Sequence, residues 1–90
     1  MPKTVSIIVT GKVQGVFYRQ SAKETASLLD ITGEVRNMPD GSVHIIATGN
    51  HDQLKKLIQW CKQGPPRARV DDVVIKELSL DLFEKFSIVR

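Results

Sequence analysis

Between Thr4 and Thr10 the apolar residues Val5, Ile7 and Val9 fall on one side of an alternation, with Ser6 and Thr10 on the other. A period of two places successive side chains on opposite faces, so the segment predicts a sheet strand. Past the glycine-containing stretch from Gly11 to Arg19 the period changes. Tyr18, Ala22, Ala26 and Leu29 recur at steps of three and four through polar sequence, the spacing of an amphipathic helix. Gly33 to Met38 then predicts a short strand, and Pro39-Asp40-Gly41-Ser42 is turn chemistry. Val43, Ile45 and Ala47, alternating with His44 and Thr48, predict the returning strand of a hairpin.

Asn50 offers an N-cap, with Gln53 three residues on completing a capping box, ahead of Leu54, Leu57, Ile58 and Cys61 in a second amphipathic helix. Gly64-Pro65-Pro66 ends that helix. Val70 to Leu80, with Val73 and Ile75 alternating with Val74 and Lys76, predicts a fourth strand, and Phe86-Ser87-Ile88-Val89 predicts a short strand at the sheet edge. The order strand, helix, strand, strand, helix, strand predicts an α+β fold of the ferredoxin-like (βαββαβ) kind: a two-layer sandwich, mainly antiparallel, with both helices on one face of the sheet. That fold hosts many functions and names none.

Composition narrows the field. Ninety residues predict a single domain, 1–90, with one core. A hydrophobic fraction of 41% against 26% charged residues is that of a soluble globular protein rather than a disordered chain. No apolar run approaches the roughly 20 residues of a transmembrane helix. Met1-Pro2-Lys3-Thr4 leads directly into a strand pattern without a signal-peptide core, so the expectation is a cytoplasmic protein with no membrane partner. The one cysteine, Cys61, excludes an intramolecular disulfide and a Cys-x-x-Cys site, and its helical neighbours Leu54, Leu57 and Ile58 predict a buried thiol. A net charge of +3 suits an anionic ligand but is too modest to demand one.

The stretch Gly11-Lys12-Val13-Gln14-Gly15-Val16-Phe17-Tyr18-Arg19 asks for an explanation, because a strand-to-helix connection needs one glycine at most. At a helix N-terminus backbone N–H groups lack intrahelical partners. Two glycines there allow positive φ and a nest of N–H groups facing one anion, with Arg19 adding a planar cationic fork. The same stretch also fits a tight connection ending in a surface arginine. Asn37 is similarly open, either a hydrogen-bonding residue ahead of the turn or a functional amide. Walker and Rossmann glycine patterns are absent.

Two segments, Gly11 to Arg19 and Gly33-Glu34-Val35-Arg36-Asn37-Met38-Pro39-Asp40-Gly41-Ser42-Val43, resemble the signature segments of the acylphosphatase family. A third, Trp60 to Val70, resembles the family's helix-to-strand connection, so the likeness covers almost the whole chain. The resemblance implies the ferredoxin-like fold and an enzyme, without metal or cofactor, that hydrolyses small-molecule acyl phosphates to carboxylate and inorganic phosphate, the latter as product or inhibitor. Arg19 matches the family's catalytic phosphate-binding arginine and Asn37 its water-orienting asparagine. Gln14, Gly15, Val16, Phe17, Tyr18 and Arg19 match the phosphate cradle. A monomer is expected. Three residues depart from the commonest form: Tyr18 where Phe usually precedes the arginine, Glu34 in place of Trp or Tyr, and Asp30 where a helix-ending Gly is common, a position at which Asp is slightly strained.

Other chemistries fit less well. His44 and His51 fall on separate elements and suggest no metal-ligand cluster, and no Ser or Cys has a His partner by spacing. RNA-recognition domains share this fold but stack bases on strand aromatics, and the expected central strands, Thr4 to Thr10 and Val43 to Thr48, contain none; no nucleic-acid partner is expected. A domain that keeps the anion site but acts as a binder, as acylphosphatase-like domains do within larger carbamoyl-transfer proteins, is the remaining alternative.

Overall fold

The computed structural model describes residues 1–90. Its elements are β1 (Lys3–Lys12), α1 (Tyr18–Leu28), β2 (Thr32–Asn37), β3 (Val43–Gly49), α2 (His51–Gln63), β4 (Arg69–Leu78) and β5 (Phe86–Val89). The strands form one sheet in the order β4-β1-β3-β2-β5. All neighbours are antiparallel except β2 and β5, which run parallel. The ferredoxin-like arrangement expected from the sequence is therefore present, with β5 added at the edge.

Strand ends differ from the sequence-based expectation by one or two residues, and two of them have a plain local reason. β2 stops at Asn37 because the Met38 N–H turns to the Ser42 carbonyl, at 2.9 Å, and closes the hairpin. β4 stops at Leu78, paired with Thr4, because β1 has almost run out there and leaves no ladder for Ser79 and Leu80.

The alternation sorts side chains as expected. Val5, Ile7 and Val9 of β1, Val35 of β2, and Val43, Ile45 and Ala47 of β3 share the buried core with Tyr18, Ala22 and Ala26 of α1 and Leu54, Leu57 and Cys61 of α2. Asn37 has the same strand parity as Val35, so it lies at the helix-side end of β2, while Arg36 and Glu34 pair with each other on the open face. α2 begins with the expected capping box: the Gln53 N–H donates to Asn50 Oδ1 at 2.9 Å, and the Asn50 N–H donates to Gln53 Oε1 at 2.8 Å. α1 ends with Asp30 at a φ of 58°, the left-handed conformation anticipated for this position.

Getting from β4 to β5 takes the chain across the open face from one sheet edge to the other. Thr4 and Thr48, buried beneath it, share a 2.7 Å hydroxyl hydrogen bond. The Thr48 hydroxyl donates to the Asp81 carbonyl at 2.6 Å, which leaves the Thr4 hydroxyl to donate to Thr48 Oγ1, and the Asp81 N–H donates to Thr4 Oγ1. This polar knot sets the path that delivers β5 beside β2.

Candidate active site

The loop between β1 and α1 is anchored from below by two valines. Val13 and Val16 are buried, leaving Gly15 and Phe17 facing outward. Gly15 has a φ of 74°, and a Cβ there would touch nothing, so its glycine answers a conformational demand rather than a steric one. Gly11 is different. It lies inside β1, at the register shift against β4, and a Cβ there would come within 2.2 Å of the Arg69 carbonyl oxygen. The expectation that both glycines build the anion nest is thus corrected: Gly11 admits a neighbouring strand, and only Gly15 shapes the loop.

Phe17, the N-cap of α1, adopts a φ of 64°, uncommon for a bulky residue, and its ring is 69% exposed. The helix start has no side-chain cap and no acidic residue in its first turn. The first intrahelical bond runs from the Ser21 N–H to the Phe17 carbonyl, and the N–H groups of residues 14–20 have no backbone acceptor. A run of unpartnered donors at the positive end of a helix, with no acidic residue in its first turn, is an arrangement suited to an anion. Arg19 stands in that first turn, and neither ion pair of the protein, Arg36–Glu34 or Arg69–Asp71, involves it.

Asn37 reaches the same place from the sheet. Its Oδ1 is buried without a hydrogen-bond partner, the one such side-chain atom in the protein. Buried polar atoms are nearly always paired, so this exception asks for a functional reason. Loop and hairpin are joined by the Gln14 amide, whose Nε2 donates to the Met38 carbonyl at 2.8 Å and the Ser42 carbonyl at 2.9 Å. The turn is held in its own right by Asp40, whose Oδ1 accepts from the Ser42 hydroxyl and N–H. Those two donors hold the Asp40 carboxyl below the usual carboxylate range.

Gly15, Phe17, Tyr18, Arg19 and Asn37 line one concavity of about 480 Å³, together with Val13, Gln20, Ile88 and Arg90. The sequence-predicted residues Arg19 and Asn37 are thereby brought together. Val16 anchors the loop from the core, and the Gln14 side chain serves as a bridge, so any contact from these two to a ligand is through the backbone. Ile88 and Arg90 were not anticipated, because their place depends on the parallel β2–β5 pairing, which leaves no local signal. His44 faces the open side of the sheet and His51 begins α2, both away from this cavity. Cys61 is fully buried, and burial pushes its thiol up to about 12.

In an α+β sandwich, an uncapped glycine loop, a guanidinium without an ion-pair partner and the Asn37 side chain thus line one cavity. The profile of the acylphosphatase family matches residues 5–88. The chain is 47% identical over 92 residues to an acylphosphatase of Acaryochloris marina, covering 100% of this chain and 99% of that one. It is 44% identical over 89 residues to an acylphosphatase of Methylococcus capsulatus, covering 98% and 97%. The crystal structure of the acylphosphatase from Bacillus subtilis superposes with a TM-score of 0.95 at 36% identity, over 100% of both chains. The chain therefore belongs to the acylphosphatase family, and it is an enzyme of that hydrolytic class.

Proposed function

We propose that this protein cleaves the carboxyl-phosphate bond of acyl phosphates by attack of water on a phosphoryl group held in the loop of residues 14–18 and against Arg19. The observation that carries the reading is the convergence, on one cavity, of unpartnered N–H groups, an arginine without a carboxylate partner and the side chain of Asn37, whose buried amide oxygen has no hydrogen-bond partner. The N–H groups and guanidinium meet the peripheral phosphoryl oxygens, where charge must be stabilised, each donor contributing about 3–4 kcal/mol in a preorganised site. Asn37 accepts a hydrogen bond from the attacking water and sets its line of approach, acting as an orienting group rather than a base.

The leaving group is a carboxylate, whose conjugate acid has a pKa of about 4, so it departs without a proton from a general acid. The water's proton passes to the phosphate. The charged side chains around the cavity, Arg19 and Arg90, are cations, a donor set suited to holding phosphate directly rather than through a metal ion. Inorganic phosphate, as product, occupies the same cradle and competes with substrate.

Steady-state hydrolysis of benzoyl phosphate in excess EDTA tests this reading. Turnover that survives chelation, with inorganic phosphate raising KM and leaving kcat unchanged, is expected. Turnover lost on chelation, or inhibition by phosphate that lowers kcat alone, would contradict it.

A further inference from the structure

Tyr18 immediately precedes Arg19, and almost nothing within α1 fixes the first turn on which both stand: it has no side-chain cap, and Arg19 has no ion-pair partner. Tyr18 is held from outside the helix. Its ring is buried against Trp60, centroids 5.1 Å apart and planes inclined at 55°, and its hydroxyl donates to the Cys61 carbonyl at 2.8 Å. That carbonyl lies in the last turn of α2, where the residue four positions on would ordinarily donate to it. Here that residue is Pro65, which has no N–H.

The preceding carbonyl, of Trp60, is satisfied by the Gly64 N–H at 2.7 Å. The Tyr18 hydroxyl thus supplies the donor that the α2 terminus lacks. The surroundings are shaped to the ring as well, since a Cβ at position 64 would come within 3.1 Å of Tyr18 Cε2.

We propose that Tyr18 is a positioning residue for the anion site: its hydroxyl ties the first turn of α1 to the last turn of α2 and so fixes the direction of Arg19 and of the neighbouring N–H groups. The tether stands on the geometry, and its consequence for turnover rests on the function proposed above. Without it the first turn of α1 is held by Val13, Val16 and the Gln14 bridge, all on the loop side, and is free to roll about the ring of residue 18.

Tyr18→Phe removes one oxygen and keeps the ring, and Asn50→Ala, which removes the N-cap at the end of α2 opposite to Cys61, serves as a destabilised control. Denaturant midpoints, calorimetric affinity for inorganic phosphate and kcat for benzoyl phosphate are measured for both. Both variants are expected to lose stability. Only Tyr18→Phe is expected to lose phosphate affinity and kcat, each by about three- to tenfold, the scale of a small misalignment. A Tyr18→Phe protein with native phosphate affinity and native kcat would overturn the proposal, leaving the hydroxyl as a mere closure of α2. Native protein that binds phosphate but turns over no benzoyl phosphate would sink the catalytic reading, and phosphate affinity would still decide for or against the tether.

Discussion

A buried amide oxygen without a partner costs a fold about 1–3 kcal/mol, and Asn37 bears that cost at the end of β2, where an apolar side chain would pack without penalty. Asn37→Ala is therefore expected to leave the denaturant midpoint unchanged or raise it, while kcat for benzoyl phosphate falls roughly 10²-fold through loss of a positioned water. A variant that is markedly less stable would mean the amide is structural after all. Cys61 makes a prediction of the opposite kind. Burial raises its thiol from an ordinary 9.0 to about 12, so its stabilising contribution is complete below pH 9.0 and is lost as pH rises toward 12. The buried Tyr18 hydroxyl, also raised chiefly by burial, adds loss in the same direction at still higher pH. Unfolding midpoints followed from pH 8 upward should fall, and Cys61→Ala should flatten the first part of that decline.

At the scale of elements, the hairpin and the cradle behave as one unit because Gln14 spends both amide hydrogens on carbonyls of the hairpin turn. Gln14→Leu leaves each of those carbonyls with its backbone donor alone, the Gly41 N–H for Met38 and the Met38 N–H for Ser42. It should cost about 1–3 kcal/mol in urea unfolding and lower kcat as well, since loop and Asn37 lose their common strut. Equal stability with the native chain would show that the bridge carries no weight. Much of this level was legible beforehand. Alternation in β1 and β3, the Asn50–Gln53 capping box and the Pro39–Ser42 turn are local patterns, and each appears where its periodicity or spacing put it. Asn37 was assigned a role by family likeness alone, whereas its strand parity with Val35 explains how it reaches the helix side. Gly11 was misread because the need for glycine comes from the Arg69 carbonyl of a strand remote in sequence. Gln14 as a bridge, and Tyr18 as a donor to Cys61, were invisible for the same reason: their partners are set by packing, not by neighbours in the chain.

Over the whole molecule, the cavity is assembled from three places: the β1–α1 loop, the end of β2 and the tail beyond β5. The last arrives only because residues 79–85 cross the open face and are pinned there by Thr4, Thr48 and Asp81. Thr4→Val removes the centre of that knot and leaves the Asp81 N–H without its acceptor. It should lower stability by about 1–3 kcal/mol, with amide hydrogen exchange accelerated most in β5 and β2. Exchange that rises uniformly would separate the crossing segment from the placement of β5. No helix is long and apolar enough to cross a membrane.

The most direct test of the central claim is the hydrolysis of benzoyl phosphate by Arg19→Gln and Asn37→Ala beside the native chain, with circular dichroism confirming each fold. The account predicts native turnover in EDTA. It also predicts activity reduced by about 10²-fold or more in both variants, with phosphate affinity lost in Arg19→Gln and kept in Asn37→Ala. A correctly folded Arg19→Gln protein with native turnover would contradict it.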